Sequence, residues 1–211
     1  MTAPESGTAV IVFAKAPRPG EVKTRLIPLL GAEGAAALHA TLVERALETA
    51  VECGLRPIEL HAAPDDGDPF FQACLERYGV TVRPQTGADL GARMHAAFEA
   101  GLARCGRVLL MGSDCPALTP ALLRDADGAL HDGADAVFAP CEDGGYALIG
   151  LRRANAGLFE RIAWGTDSVM AASRLRLQQL AWRWRELETV WDVDRPEDYR
   201  RLVRSGLLDN R

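Results

Sequence analysis

The chain has 211 residues, 48% of them apolar and 25% charged, a globular composition that excludes a disordered or fibrous protein and suits one domain better than two. A net charge of −5 and a pI near 5.4 argue against a general nucleic-acid binder, and the uncharged apolar runs, such as 8–14, fall short of a membrane span. Five cysteines, odd in number and never spaced C-x-x-C, read as reduced core thiols rather than a disulfide framework or zinc site.

Strands and helices alternate along the chain. Thr8–Ala14 is a continuous β-branched run, the mark of a strand buried on both faces. A polar loop punctuated by Pro and Gly follows to Pro28. Gly31–Cys53 carries an apolar stripe through Leu38, Leu42, Ala46 and Ala50, which predicts a helix. Pro57–Ala62 is an expected strand, Pro69–Tyr78 a helix and Val80–Pro84 a strand. Asp89–Cys105 is amphipathic at helical spacing and Arg107–Met111 is a second buried strand. Thr119 then Pro120 open a helix to Leu130.

Ala134–Ala139 and Tyr146–Leu151 read as strands flanking a Gly-Gly turn. Thr166–Leu180 reads as a helix, and Arg183–Val193 as an alternating strand. Asp194 is an N-cap candidate for a last short helix, with Glu197 at the capping-box position. The pattern predicts a single three-layer α/β/α domain over residues 1–211, with a mostly parallel mixed sheet. Ligands of such sheets bind beyond the carboxyl ends of the strands, so the segments after strands carry the chemistry.

The first such segment, 13–25, holds Lys15, Arg18, Lys23 and Arg25 against one acid, Glu21. Pro17, Pro19 and Gly20 preshape it, and it is suited to clamp a polyphosphate by charge-assisted hydrogen bonds. It matches neither a Walker loop nor G-x-G-x-x-G. Lys15 and Lys23 are the chain's two lysines among 24 cationic residues; a compact ammonium suits phosphate, and an Arg-preferring background is the plain alternative.

Asp114 follows the strand 107–111 and is placed to hold Mg²⁺, which takes few protein ligands; a turn-capping role competes. Asp192 and Asp194 lie two apart and point to one side of an extended backbone. Asp192 is the preferred partner of Asp114 in a metal site, and Asp194 has its capping alternative. Asp143, before paired glycines, is a candidate base or substrate-orienting group, with a tight hairpin turn as the plain reading. Gln85 and Gly91 flank a strand-to-helix junction that could line a base or phosphate pocket, with Asp89 as an ordinary N-cap. The four dispersed histidines add no ligand pattern, and Trp182, Trp184 and Trp191 read as core or interface residues.

The segments F-A-K-A-P-R-P-G-E-V-K-T-R-L, D-L-G-A-R-M, L-L-M-G-S-D-C-P-A-L, E-D-G-G-Y-A-L-I-G-L and W-D-V-D-R-P-E-D together resemble the nucleotide-diphospho-sugar transferases of GT-A fold. Within that superfamily the chain looks like a bacterial glycosyltransferase-like group, and also like 2-phospholactate and molybdopterin guanylyltransferases. The resemblance implies a GT-A domain, phosphate-binding roles for Lys23 and Arg25, and metal-binding roles for Asp114 and for Asp192 or Asp194. Two departures stand out: the L-A-G-G opening of nucleotidyltransferases is F-A-K-A-P, and the D-x-D of many glycosyltransferases is S-D-C.

The sequence thus predicts a nucleotide-utilising transferase dependent on Mg²⁺ or Mn²⁺. The expected catalytic residues are Lys23, Asp114 and Asp143, the nucleotide or phosphate contacts Lys15, Arg18, Lys23, Arg25, Gln85 and Gly91, and the metal ligands Asp114, Asp192 and Asp194. Nucleotidyl transfer to a phosphorylated small molecule is narrowly favoured, because pyrophosphate as leaving group demands positive charge. Glycosyl transfer from an NDP-sugar to a small-molecule acceptor is the alternative, and a non-catalytic nucleotide-binding module the third reading. No nucleic-acid or membrane partner is expected, a homodimer is left open, and the absence of a leading signal peptide points to the cytoplasm.

Overall fold

The computed structural model describes residues 5–208, with side chains from Gly7 onward. The uncharged run at the start becomes β1 (Glu5–Lys15) in the middle of a seven-stranded sheet. The other strands are β2 (Ile58–Ala63), β3 (Thr81–Pro84), β4 (Cys105–Gly112), β5 (Ala136–Pro140), β6 (Tyr146–Leu151) and β7 (Trp184–Glu186). Their order is β3-β2-β1-β4-β6-β5-β7, and only β6 runs antiparallel to its neighbours. The chain leaves β1 toward β2 and β3, then returns to place β4 on the other side. That reversal opens a crevice beyond the carboxyl ends of β1 and β4.

Alternate residues of the central strands feed two cores. Val10, Val12, Leu60, Leu109 and Met111 face α1 (Ile27–Glu52), α2 (Pro69–Tyr78) and α4 (Pro120–His131). Ile11, Leu110, Phe138 and Ile149 face α3 (Leu90–Leu102) and α5 (Val169–Gln179). A third cluster packs α6 (Pro196–Ser205) through Leu202 against Leu26, Leu38 and Leu42, with Val193 fully buried among them. Burying a valine stabilises by about 2 kcal/mol, and here it anchors the segment that carries Asp192 and Asp194.

Several boundaries differ from the sequence reading, each for a local reason. The helix begins at Ile27, ahead of Gly31, whose φ of 72° breaks it into two helical pieces. The stretch Thr24–Glu52 is long and apolar enough to cross a membrane, yet Val43, Ala46, Leu47 and Ala50 are buried in the sheet core. The alternation over Arg183–Val193 yields only a three-residue strand, although the chain keeps beside β5: Leu187 N donates to Phe138 O and Val190 N to Pro140 O. The last helix is capped one residue later than expected. Asp198 accepts from Asp194 N and Arg195 N, which leaves the Asp194 side chain for another partner. Thr166 bonds Ala163 O and Ser168, and α5 starts only at Val169. Thr119 and Asp89 cap α4 and α3 as expected, and all five cysteines are buried free thiols.

On β2, Glu59 is only 2% exposed and still ionised. Burial raises its pKa, but the His61 hydrogen bond (3.0 Å) and the guanidinium groups of Arg104 (2.7 Å) and Arg83 (3.2 Å) prevail and hold it at about 2. The folded value lies below the ordinary 4.5, so this carboxylate stabilises the fold fully above pH 4.5 and progressively less as pH falls toward 2. Glu59→Gln should therefore be roughly 3 kcal/mol less stable than the native chain at pH 7, and the two should converge near pH 2. Thermal unfolding across that range is the check, and a gap independent of pH would contradict it.

Candidate active site

The carboxyl ends of β1 and β4 open into a cleft of about 580 Å³ lined by Lys15, Lys23, Arg25, Arg93, Gln85 and Asp114, among others. Lys23 turns into it from a left-handed backbone (φ 48°, ψ 39°), a conformation uncommon outside glycine. Its side chain is 4% exposed, with Nζ 2.8 Å from Asp114 Oδ1 and donating to Val193 O at 2.7 Å. Val193 N in turn donates to Asp114 O at 3.0 Å. The loop after β1, the end of β4 and the segment before α6 are thus joined at one point.

Asp114 is asymmetric. Its Oδ1 is buried while the side chain as a whole is half exposed, so the carboxylate opens toward the cleft on its other side. Burial works against its charge, but Lys23, and more weakly Lys15, hold its pKa below the usual carboxylate range. His39, from α1, sits with Nδ1 3.9 Å from the same oxygen and without a hydrogen-bond partner, while its Nε2 meets Lys15 O at 3.0 Å. Burial lowers the His39 pKa, so the neutral ring donates from Nε2 to that carbonyl. His39 gave no signal in the sequence, because one histidine on an amphipathic helix is indistinguishable from a core residue.

A second cavity of about 500 Å³ adjoins the cleft and shares Arg25 and Asp194 with it. Asp143, Asp167, Asp192 and Trp191 are among its walls. Here ligand atoms of Cys141, Asp143 and Asp192 lie within 4.8 Å of one another. Burial, then Asp143 and Asp114, push the Asp192 carboxyl upward. Burial and Asp192 likewise push the Cys141 thiol up, so it stays protonated and donates to Asp192 Oδ1 at 3.5 Å. What is left for a cation is hard carboxylate oxygen, the donor type that Mg²⁺ and Mn²⁺ take. The crowding of negative charge on Asp192 fits such an ion.

The expected site residues are sorted accordingly. Lys15 and Arg25 line the cleft, with Arg25 paired to Asp194. Arg18 does not join them: it is tied to Asp68 at 3.2 Å and Asp65 at 3.3 Å. Gln85 lines the cleft, but its amide N–H groups are committed to Ala14 O and His61 O. Gly91 lies on a separate cavity, where an added Cβ would meet Phe159 O at 2.8 Å and Trp164 Nε1 at 2.9 Å; it is small for packing. Asp143 sits in the metal-type cluster rather than apart from it, while Asp194 faces Arg25 rather than the cluster.

The family described as "Uncharacterized protein conserved in bacteria (DUF2064)" matches residues 46–166, more than half of the chain. A candidate nucleotide-diphospho-sugar transferase from Desulfovibrio desulfuricans G20 is 30% identical over 94% of this chain and 87% of its own, with a TM-score of 0.85. The chain belongs to the DUF2064 family. A nucleotidyl transferase from Methanothermobacter thermautotrophicus is 17% identical with a TM-score of 0.65, covering 97% of this chain and 99% of its own. A Mycobacterium tuberculosis protein in complex with manganese is 18% identical with a TM-score of 0.56, covering 95% and 99%. These two likenesses show the shared fold. No curated protein matches the sequence significantly.

The DUF2064 match contains Asp114 and Asp143 and stops short of Lys23 and Asp192. Within it, Gly144 (φ 87°) lets the turn at 142–145 press against the loop before α5. An added Cβ would stand 2.1 Å from Asp167 O, and Met170 N donates to Gly144 O at 2.9 Å. No backbone oxygen tolerates that approach, so Gly144→Ala must push the wall of the second cavity apart. It should lower the thermal midpoint by several degrees, the effect of about 2 kcal/mol in a chain of this size. An unchanged midpoint would contradict the packing described.

Proposed function

We propose that this protein is a metal-dependent glycosyltransferase that takes a sugar from an NDP-sugar to a hydroxyl of a small acceptor that carries no phosphate. The observation that carries this reading is the junction, at Arg25 and Asp194, of two chambers of opposite character. The cleft sets Lys15, Lys23, Arg25 and Arg93 against Glu21, Asp114 and Asp194. The second chamber sets Glu142, Asp143, Asp167, Asp192, Asp194 and Asp198 against Arg25 and Arg195. A nucleoside diphosphate suits the first. Sugar hydroxyls suit the second, because a carboxylate accepts hydrogen bonds and donates none.

A phosphorylated acceptor, which nucleotidyl transfer requires, would bring its charge against Glu142, Asp167 and Asp198, the acids of that chamber left over once Asp143 and Asp192 are taken up by a metal ion and Asp194 by Arg25. Each like-charge approach at 4 Å costs about 1 kcal/mol in water and about 4 kcal/mol near a protein surface. That moves the balance from the nucleotidyl transfer favoured by the sequence to glycosyl transfer. The likeness to the candidate nucleotide-diphospho-sugar transferase supports the same direction. The four cationic residues lining the cleft keep nucleotidyl transfer as the second reading.

Asp192, Asp143 and the open side of Asp114 would hold Mg²⁺ or Mn²⁺. When bound, such an ion neutralises diphosphate oxygens and the charge that develops on the departing nucleotide. Lys15 and Arg25 would bind the diphosphate from the cleft side. A carboxylate of the second chamber would receive the proton of the acceptor hydroxyl as the bond from the anomeric carbon to diphosphate is exchanged for one to the acceptor. A nucleotide-sugar donor and five free thiols are consistent with reaction in the cytoplasm.

A thermal-shift panel with Mn²⁺, comparing common NTPs with common NDP-sugars, tests the reading. A ligand at about 100 times its Kd adds about 2.7 kcal/mol and should raise the midpoint by roughly 5–10 °C. A shift with an NDP-sugar and none with the NTPs is expected. A shift with one NTP alone would establish the nucleotidyl reading instead, and silence throughout would overturn both. In a second test, Asp114→Asn should stay folded with a lowered thermal midpoint, since Lys23 keeps an oxygen partner but loses its counter-charge, and should lose at least 100-fold in metal-dependent turnover. Wild-type turnover in that variant would overturn the metal assignment.

A further inference from the structure

The loop after β1 carries both lysines of the chain, and the structure gives them opposite surroundings. Lys15 is exposed on the cleft wall. Lys23 is buried, with Nζ held by Asp114 Oδ1 at 2.8 Å and Val193 O at 2.7 Å. To meet a ligand, Lys23 would abandon two oxygens that have folded around it, one of them the inward oxygen of Asp114. A buried charge left without its partner is strongly unfavourable, whereas Lys15 can meet phosphate without breaking any ion pair among the described residues. His39 completes the arrangement, because its Nε2 holds the backbone oxygen of Lys15 while its Nδ1 faces Asp114.

We propose that the two lysines have separate tasks: Lys15 is the ammonium that meets phosphate, and Lys23 is a positioning residue that fixes Asp114 and docks the segment bearing Asp192 onto it. This rests on the reading of Asp114 as a metal ligand. It gives Lys23 a different role from the phosphate binding that the sequence and its resemblance lead one to expect. Both residues carry the same charge in the same loop, and only the acids and carbonyls that surround them separate their roles.

A chain with two lysines allows a direct test. The whole protein, ¹⁵N-labelled at lysine, gives two Nζ signals, which Lys15→Arg assigns. The Lys23 ammonium should exchange its hydrogens at least tenfold more slowly than Lys15. Inorganic pyrophosphate without metal should shift the Lys15 signal and leave Lys23 in place. Manganese alone, at a small fraction of an equivalent, should broaden the Lys23 signal, and Asp114→Asn should abolish that broadening. Fast exchange at Lys23, or a pyrophosphate shift larger at Lys23 than at Lys15, would overturn the proposal in favour of a phosphate ligand. A protected Lys23 signal that manganese leaves sharp would overturn it in favour of a purely structural lysine. Both signals are read without sugar nucleotide or turnover, so an error in the proposed reaction appears in the thermal panel and not here.

Discussion

The ion pair between Lys23 and Asp114 is the contact on which the rest of the site depends. A buried ammonium is tolerated only when paired and hydrogen-bonded, and here both conditions are met by groups from different parts of the chain. Asp114 supplies the charge and Val193 the carbonyl, while Asp114 O accepts from Val193 N. Because Val193 is also locked in the apolar cluster of Leu26, Leu42 and Leu202, the acids on either side of it have little freedom. Truncating one partner of such a pair, which removes the hydrogen bond together with the charge, typically costs about 3–5 kcal/mol.

The sheet explains why this contact lies at the wall of the cleft. Strand order reverses between β1 and β4, so the loops leaving these strands diverge and a cleft forms between them. The next carboxylates arrive from β5, through the turn containing Asp143, and from the run beside it that ends in Asp192. Glycine at 144 allows that turn to close on the 166–168 loop. The outcome is a cationic cleft and an anionic chamber with a divide at Arg25 and Asp194. In the proposed reaction that charge separation would sort the two ends of a nucleotide sugar, placing diphosphate with the cations and the metal ion and hydroxyls with the remaining carboxylates.

Much of this was legible in the sequence. Continuous apolar runs located β1 and β4, helical spacing located the helices, and acids at strand ends located Asp114 and Asp192. Charge was legible only as a sum. The cations at 15–25 read as one phosphate clamp, yet Arg18 turns to Asp65 and Asp68, and Lys23 turns inward. Those acids are remote in sequence, and nothing in the loop itself announces them. The rule that alternate residues share one side of an extended chain brought Asp192 and Asp194 to the same cavity but not to the same partner, because Asp198 takes the capping role and leaves Asp194 to Arg25. His39 stayed hidden because its meaning comes from the oxygens of Lys15 and Asp114, which only the fold supplies.

The account is tested most directly by locating a manganese ion in crystals of the protein by anomalous scattering. It predicts one strong peak within coordination distance of carboxylate oxygens from both Asp114 and Asp192, with Lys23 still paired to the inner oxygen of Asp114. A peak elsewhere, or one at Asp192 with Asp114 uninvolved, would contradict the claim that the buried Lys23–Asp114 pair builds the metal site.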